Sequence, residues 1–275
     1  ADGTQPSVLF VAHRKEILVQ ALRTYRAVLG DGSFGELLVG GERPRRWKHV
    51  FASVQSLDRD AEAPDSWDVL VIDEFHHAEA VTYRRLLDRF NANEILGLTA
   101  TPERADGVDV REFFDGRTAY ELRLWDALEQ DLLCPFHYYG ISDNTDLRDV
   151  EWSAGQYSPG ALSALYTGND ARTLLILKAL RDKVLDPSRM RALGFCVSVD
   201  HAKYMAEAFT ARGIPSAAIV GTTAPDERRA VVEQLKTGEL RCIFTVDVFN
   251  EGVDIPSVDV VLMLRPTASS TIFIQ

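Results

Sequence analysis

Residues 66–77, Ser-Trp-Asp-Val-Leu-Val-Ile-Asp-Glu-Phe-His-His, narrow the choice of fold more than any other stretch. Val69 to Ile72 form an apolar run too short for a helix and bounded by charge, which reads as a buried strand of a parallel sheet. The run stops on two adjacent carboxylates. Asp73 and Glu74 therefore sit at a strand's carboxyl end, where open α/β sheets hold their ligands. One carboxylate there can ligate Mg²⁺ at a nucleotide phosphate, and its neighbour can orient or deprotonate an attacking water. The residues alone also allow a plainer role, two acids that complement the N-terminus of the next helix.

The same succession of strand, polar corner and helix recurs along the chain. A strand over 7–12 runs into His13 and Arg14, after which Ile17, Leu18, Ala21, Leu22 and Tyr25 fall at helical spacing. A short strand covers 36–39. A strand over 49–52 leaves through Ser53, Gln55 and Ser56, groups that can receive a phosphate or cap the short helix that starts there. Between these two strands Arg43, Arg45, Arg46 and Lys48 surround Trp47, a patch that reads equally as a nucleic-acid backbone contact or as a solvated loop. A helix over 78–90 and a strand over 94–98 follow. Thr99-Ala100-Thr101-Pro102 ends that strand, because the residue before a proline is kept out of helical geometry. After an interval the alternation restarts, with helices over 172–184, 198–212 and 225–238 and strands over 191–197, 217–220, 241–246 and 258–264. The expectation is an α/β protein of two lobes, each a mainly parallel sheet with helices on both faces. The first lobe spans 1–138 and the second 169–275. Residues 139–168, where Gly155, Pro159 and Gly160 interrupt any periodicity, read as a linker or irregular excursion.

Composition removes several function classes. No run approaches eighteen apolar residues and the first residues lack the basic and apolar sections of a signal peptide, so neither membrane nor secretion is expected and the location reads as cytoplasmic. Cys134, Cys196 and Cys242 have no Cys-x-x-Cys spacing and read as core thiols. The formal net charge is −11, with 16 Lys+Arg against 24 Asp+Glu in residues 1–138. That excludes a protein that coats nucleic acid through bulk positive field, and leaves room for a local phosphate track. No Gly-x-x-x-x-Gly-Lys-Ser/Thr occurs anywhere in the 275 residues. If Asp73 and Glu74 serve a Mg-nucleotide, the phosphate loop is expected upstream of Ala1, and the chain is then a fragment.

The order of these polar corners resembles the motif series of superfamily 2 helicases. Val11-Ala12-His13-Arg14 resembles motif Ia, Ser53-Val54-Gln55-Ser56-Leu57 motif Ib, Asp73-Glu74-Phe75-His76-His77-Ala78 motif II and Leu98-Thr99-Ala100-Thr101-Pro102 motif III. In the second lobe, Gly194-Phe195-Cys196-Val197-Ser198 is similar to motif IV and residues 245–256 to motif V, while Gln275 stands where motif VI would start. The likeness is closest to bacterial DEAD/DEAH-type proteins related to XPB-like repair helicases and to restriction-enzyme translocating subunits.

The resemblance implies two RecA-like lobes, the first truncated before its phosphate loop and the second before motif VI. It implies ATP and Mg²⁺ as cofactors and nucleic acid, DNA by preference, as partner. Asp73 is then the Mg²⁺ ligand, Glu74 the residue that positions or activates water, and His76 the link from the nucleotide site to motif III. Thr99 and Thr101 couple hydrolysis to movement. Gly252 and Asp254 face ATP when the lobes close, and Arg14, Gln55, Ser56 and Thr245 contact the nucleic-acid backbone. The pair His76-His77 departs from the commonest form of motif II, and adjacent side chains diverge too far to make a metal site. The implied activity is an ATP-dependent helicase. Two alternatives stand beside it: a duplex-DNA translocase of restriction or remodelling type, and a non-catalytic binding module with helicase-like lobes.

Overall fold

The computed structural model describes residues 5–75, 81–100, 110–143, 145–148, 150–153, 156–246, 248–249 and 255–266. The chain forms two compact units, residues 1–133 and 134–275, so the division falls slightly before the expected 138.

In the first unit, β1 (Val8–Ala12), β2 (Glu36–Leu38), β3 (His49–Ser53), β4 (Ser66–Ile72) and β5 (Asn91–Gly97) make one sheet in the order β2-β3-β1-β4-β5. Every pairing is parallel. Helices α1 (Lys15–Leu29), α2 (Val54–Arg59) and α3 (Val81–Arg89) connect the strands, and the short α4 (Leu124–Glu129) follows. Side chains alternate across the strands with period two, yet both faces are buried. Leu9, Val11, Val50, Ala52, Leu70 and Ile72 pack with Leu57 of α2 and Leu86 of α3. Phe10, Ala12, Phe51 and Val71 pack on the other side with Ile17, Leu18 and Leu22 of α1. This is why β1 and β3 are unbroken apolar runs and not alternating ones. Full burial of a side chain such as Leu9 or Leu70 stabilises by roughly 1.5–3 kcal/mol. Cover ends at the last strand, where Ile95 and Leu96, on opposite faces of β5, are 42% and 40% exposed.

In the second unit, β6 (Trp152–Ser153) and β7 (Gln156–Tyr157) form a small antiparallel pair. The main sheet is parallel, with β8 (Ala192–Phe195), β9 (Ser216–Ile219), β10 (Cys242–Thr245) and β11 (Val260–Met263) in the order β11-β8-β10-β9. Helices α5 (Pro159–Tyr166), α6 (Asp170–Lys183), α7 (Val199–Thr210) and α8 (Pro225–Thr237) complete it. Ala192, Cys242 and Phe244 pack with Leu177, Leu180, Met205 and Phe209 of α6 and α7, while Leu193, Ile219 and Ile243 pack with Leu235 of α8. The doubly covered parallel sheets confirm the expected α/β class.

The expected irregular stretch 139–168 is the main difference. It carries the β6–β7 pair and α5, whose Leu162 and Tyr166 are buried with Val150. Pro159 sits in the first helical turn, where its missing N–H costs nothing, so it starts the helix and does not break it.

Candidate functional site

The carboxyl ends of the first sheet are level. Ala52, Val11, Ile72 and Gly97 form one row across four strands, which puts Ser53, Ala12, Asp73 and Leu98 on the next. The Asp73 N–H donates to the Val11 carbonyl at 2.9 Å, and the Leu98 N–H to the Ile72 carbonyl at 2.9 Å, so pairing continues past the strands. From β1 the chain proceeds toward β2 and β3, and from β4 it proceeds toward β5 on the opposite side. The switch point therefore lies between β1 and β4, the position at which such sheets open a crevice for ligands. His13 and Arg14 leave from one side of it, Asp73 and Glu74 from the other.

Asp73 is half-buried, and its Oδ1 accepts the Glu74 N–H at 3.0 Å. Burial pushes the Asp73 carboxyl above its ordinary range, and that hydrogen bond offsets part of the rise. Glu74 adopts φ 52°, the left-handed region, at a cost of about 1–2 kcal/mol for a residue with a Cβ. The reversal returns Phe75 to the sheet. Its N–H donates to the Leu98 carbonyl at 2.8 Å, and its ring is buried against Phe113 and Phe114, with centroids 5.5 and 4.9 Å away. Gly97 makes room for this packing, since a Cβ there would lie 2.8 Å from both the Phe75 and Phe114 rings. The carboxylate turn is thus clamped to the strand end from which Thr99 departs.

As a donor set, Asp73 suits a hard divalent cation. A carboxylate held in a desolvating site is stabilised by a cation beside it, and Mg²⁺ typically takes one or two carboxylates and fills its shell with water and phosphate oxygens. Among the described residues no group of three His, Cys, Asp or Glu is placed to hold a metal ion. Asp73 and Glu74 also lack a phosphate-cradling glycine loop within the chain.

The other expected residues divide. Arg14 stands at the N-cap of α1 in extended geometry, its carbonyl accepting from the Leu18 N–H at 3.3 Å. Ser53 caps α2: its Oγ accepts the Ser56 N–H at 3.1 Å and donates to the Ser56 Oγ at 2.8 Å, which leaves Gln55 exposed. Arg14 and Gln55 each lie two residues past the paired row of Ala12 and Ser53. Thr245 differs from expectation. It is wholly buried at the end of β10, with an unpartnered Oγ1, because both faces of that sheet are covered and position 245 has no outward side. As placed, it presents no surface to a nucleic-acid backbone. His76, Thr101, Gly252 and Asp254 lie outside the described residues.

One polar cluster in the second unit was not anticipated. Arg172 of α6 donates from Nε to Asp143 Oδ2 at 2.7 Å and from Nη2 to the Leu264 carbonyl at 3.4 Å, and its guanidinium lies 4.0 Å from the Tyr166 ring centroid. His201 is fully buried beside Tyr166 and accepts the Val197 N–H at Nδ1. Burial, with the Arg172 charge adding to it, pushes the His201 pKa down to about 4. Nothing in the spacing of residues 143, 166, 172 and 201 signals this assembly.

Comparison with known proteins matches both halves to helicase-related families. Residues 1–104 match the family described as type III restriction enzyme, res subunit, and residues 175–275 match the helicase conserved C-terminal domain. These matches to its two halves support a superfamily 2 helicase core. IRC3 of Saccharomyces cerevisiae, provisionally named an ATP-dependent helicase, is 29% identical over 97% of this chain and 40% of its own length. The DNA 3'-5' translocase XPB2 of Sulfurisphaera tokodaii is 22% identical over 87% of this chain and 61% of its own length. The chain thus spans about two fifths to three fifths of the length of these two relatives. A solved structure of S. cerevisiae Dbp5 bound to RNA and ADP BeF3 superimposes with a TM-score of 0.62 at 14% identity, over 98% of this chain and 66% of that one. That likeness establishes the RecA-like fold. Among the described residues no helix is long and apolar enough to cross a membrane.

Proposed function

We propose that this superfamily 2 core couples ATP hydrolysis to movement along DNA and to separation of its strands, with Asp73 and Glu74 at the reacting phosphate. The level row of Ser53, Ala12, Asp73 and Leu98 carries the reading, since it brings the phosphate-chemistry carboxylates and the candidate backbone contacts to one edge of one sheet. In this reading Asp73 holds Mg²⁺, which neutralises charge that develops on the phosphoryl oxygens. Glu74 orients the attacking water. Arg14, Gln55 and Ser56 grip sugar and phosphate, which makes movement largely independent of sequence. The clamp from Phe75 to Leu98 transmits a shift at the carboxylates to Thr99, and His76, Thr101, Gly252 and Asp254 complete the coupling and nucleotide contacts.

Translocation on duplex DNA without strand separation is the second reading, favoured by the likeness to XPB2 and to the restriction res-subunit family. Because residues 1–275 include no phosphate loop, these residues alone are not expected to turn ATP over. The test measures anisotropy of labelled DNA and phosphate release with the 275-residue chain. Salt-sensitive, sequence-independent DNA binding is expected, in the range of about 1–100 μM, with phosphate release at background. No DNA binding at low salt removes the nucleic-acid reading, and DNA-stimulated release removes the claim of incompleteness. Unwinding against duplex translocation is decided by a strand-displacement assay on any longer form that hydrolyses ATP.

A further inference from the structure

The loop between β2 and β3 holds three cations outward on a fixed frame. Arg43, Arg45, Arg46 and Lys48 place four positive charges in six residues of a chain whose net charge is −11. Arg43 is consumed within the fold, paired with Asp60 at 3.3 Å and Glu62 at 2.6 Å. Arg45, Arg46 and Lys48 are exposed, and none is in an ion pair among the described residues. The residues between them face the other way: Pro44 is buried and Trp47 packs against the core beside the sheet. The Glu36 carboxylate accepts the backbone N–H of Arg45 at 3.2 Å and of Arg46 at 2.6 Å, and Gly40 and Gly41, at φ 62° and 90°, supply the turn that brings the loop back. Two apolar anchors, one carboxylate and a left-handed turn hold the backbone, so little ordering remains to be done on binding.

We propose that Arg45, Arg46 and Lys48 form a second phosphate-backbone contact for nucleic acid, remote from the strand ends. The proposal rests on the DNA reading above and extends it. β3 begins at His49, directly after these cations, and ends at Ser53, so the patch lies about 17 Å along the strand from the Ser53–Ser56 corner. The three cations span at most about 10 Å of chain, and one nucleic-acid strand presents a phosphate every ~3.4 Å of axis. They match two or three consecutive phosphates. Guanidinium forks fit phosphate oxygens bidentately. The loop also turns its proline and tryptophan inward, whereas a protein partner would be recognised through exposed aromatic or apolar anchors. What faces out is charge alone, which selects a polyanion.

The experiment compares the 275-residue chain with the triple variant Arg45→Ala, Arg46→Ala, Lys48→Ala and with Gln55→Ala, Ser56→Ala, each titrated with labelled DNA over a range of salt. Circular dichroism confirms that each variant is folded, and Arg45→Lys, Arg46→Lys reports whether charge suffices. The triple variant is expected to bind at least about tenfold more weakly at low salt, with the slope of log K against log salt reduced by about 2–3. The lysine variant should keep most of the slope. If wild-type chain binds DNA and the triple variant matches it in affinity and slope, the loop proposal fails while the DNA reading stands. If wild-type chain binds no DNA, both fail. Polyglutamate that competes as well as DNA, and through the same three residues, would reassign the patch to an acidic protein.

Discussion

Each unit buries a titratable group near a strand end, and the two groups are of opposite kind. In the first, Asp73 is half-buried and its carboxyl is pushed up. In the second, His201 is fully buried and its imidazole is pushed down to about 4. Both environments favour the neutral form, but the consequences run in opposite directions with pH. A carboxyl with a raised folded pKa contributes stability that is present below its unfolded value and is lost as pH rises through the folded value. An imidazole with a lowered folded pKa contributes stability that is present above 6.5 and is lost as pH falls toward 4. The difference separates two uses of burial. The Asp73 edge is open enough to receive a cation that would compensate its charge, whereas His201 is sealed among Tyr166, Val197 and the Arg172 cluster and belongs to the packing.

The largest effect expected from this contrast is acid lability of the second unit. Between pH 7 and 4 the buried His201 should cost about 3 kcal/mol of its stability, read as accelerated hydrogen exchange of the α7 amides. His201→Asn should flatten the dependence, and equal protection of α7 at pH 7 and 4 in the wild-type chain would break the comparison. Next in size is Thr245→Val, which replaces an unpartnered buried hydroxyl with an isosteric methyl. It should leave the protein as stable or up to about 1 kcal/mol more stable in denaturant titration, with DNA affinity unchanged. A several-fold loss of DNA affinity would return Thr245 to the nucleic-acid contacts. The smallest effect is that of Asp73→Asn, which should raise the melting midpoint of the first unit slightly at pH 8 without Mg²⁺, because burial disfavours the ionised carboxyl. It should do nothing at pH 3, where the wild-type carboxyl is already protonated. A lower midpoint at pH 8 would mean that the ionised Asp73 is stabilising in the fold.

Much of this architecture was legible because doubly covered parallel strands leave a distinctive trace. The stretches at 7–12, 49–52, 69–72 and 241–246 each end on polar residues, and each coincides to within a residue or two with, or lies inside, one of the strands β1, β3, β4 and β10. The level row at Asp73 follows from strand ends that the sequence marks. What stayed hidden depends on contacts between distant residues. α5 escaped notice because Pro159 and Gly160 read as breakers, while its reason to form is burial of Leu162 and Tyr166. The burial of Thr245 depends on the cover of both sheet faces, and no local pattern reports that. The cluster of Asp143, Tyr166, Arg172 and His201 joins four segments whose spacing obeys no rule. β5 begins at Asn91 and not at 94 because its first residues pair with Ser66 and Trp67 and so need no apolar character of their own.

The left-handed turn at Glu74 has a consequence for how this position responds to selection. Backbone and side chain there call for different residues: glycine would relax the turn, but only an acid keeps the charge beside Asp73. A library of position-74 variants sorted for heat resistance alone should drift toward glycine or asparagine. On the proposed function, the same library carried in a longer form that hydrolyses ATP and sorted for that activity should hold the glutamate. Divergence of the two populations would reveal residue 74 as a point where fitness is maintained against the conformational preference of the chain.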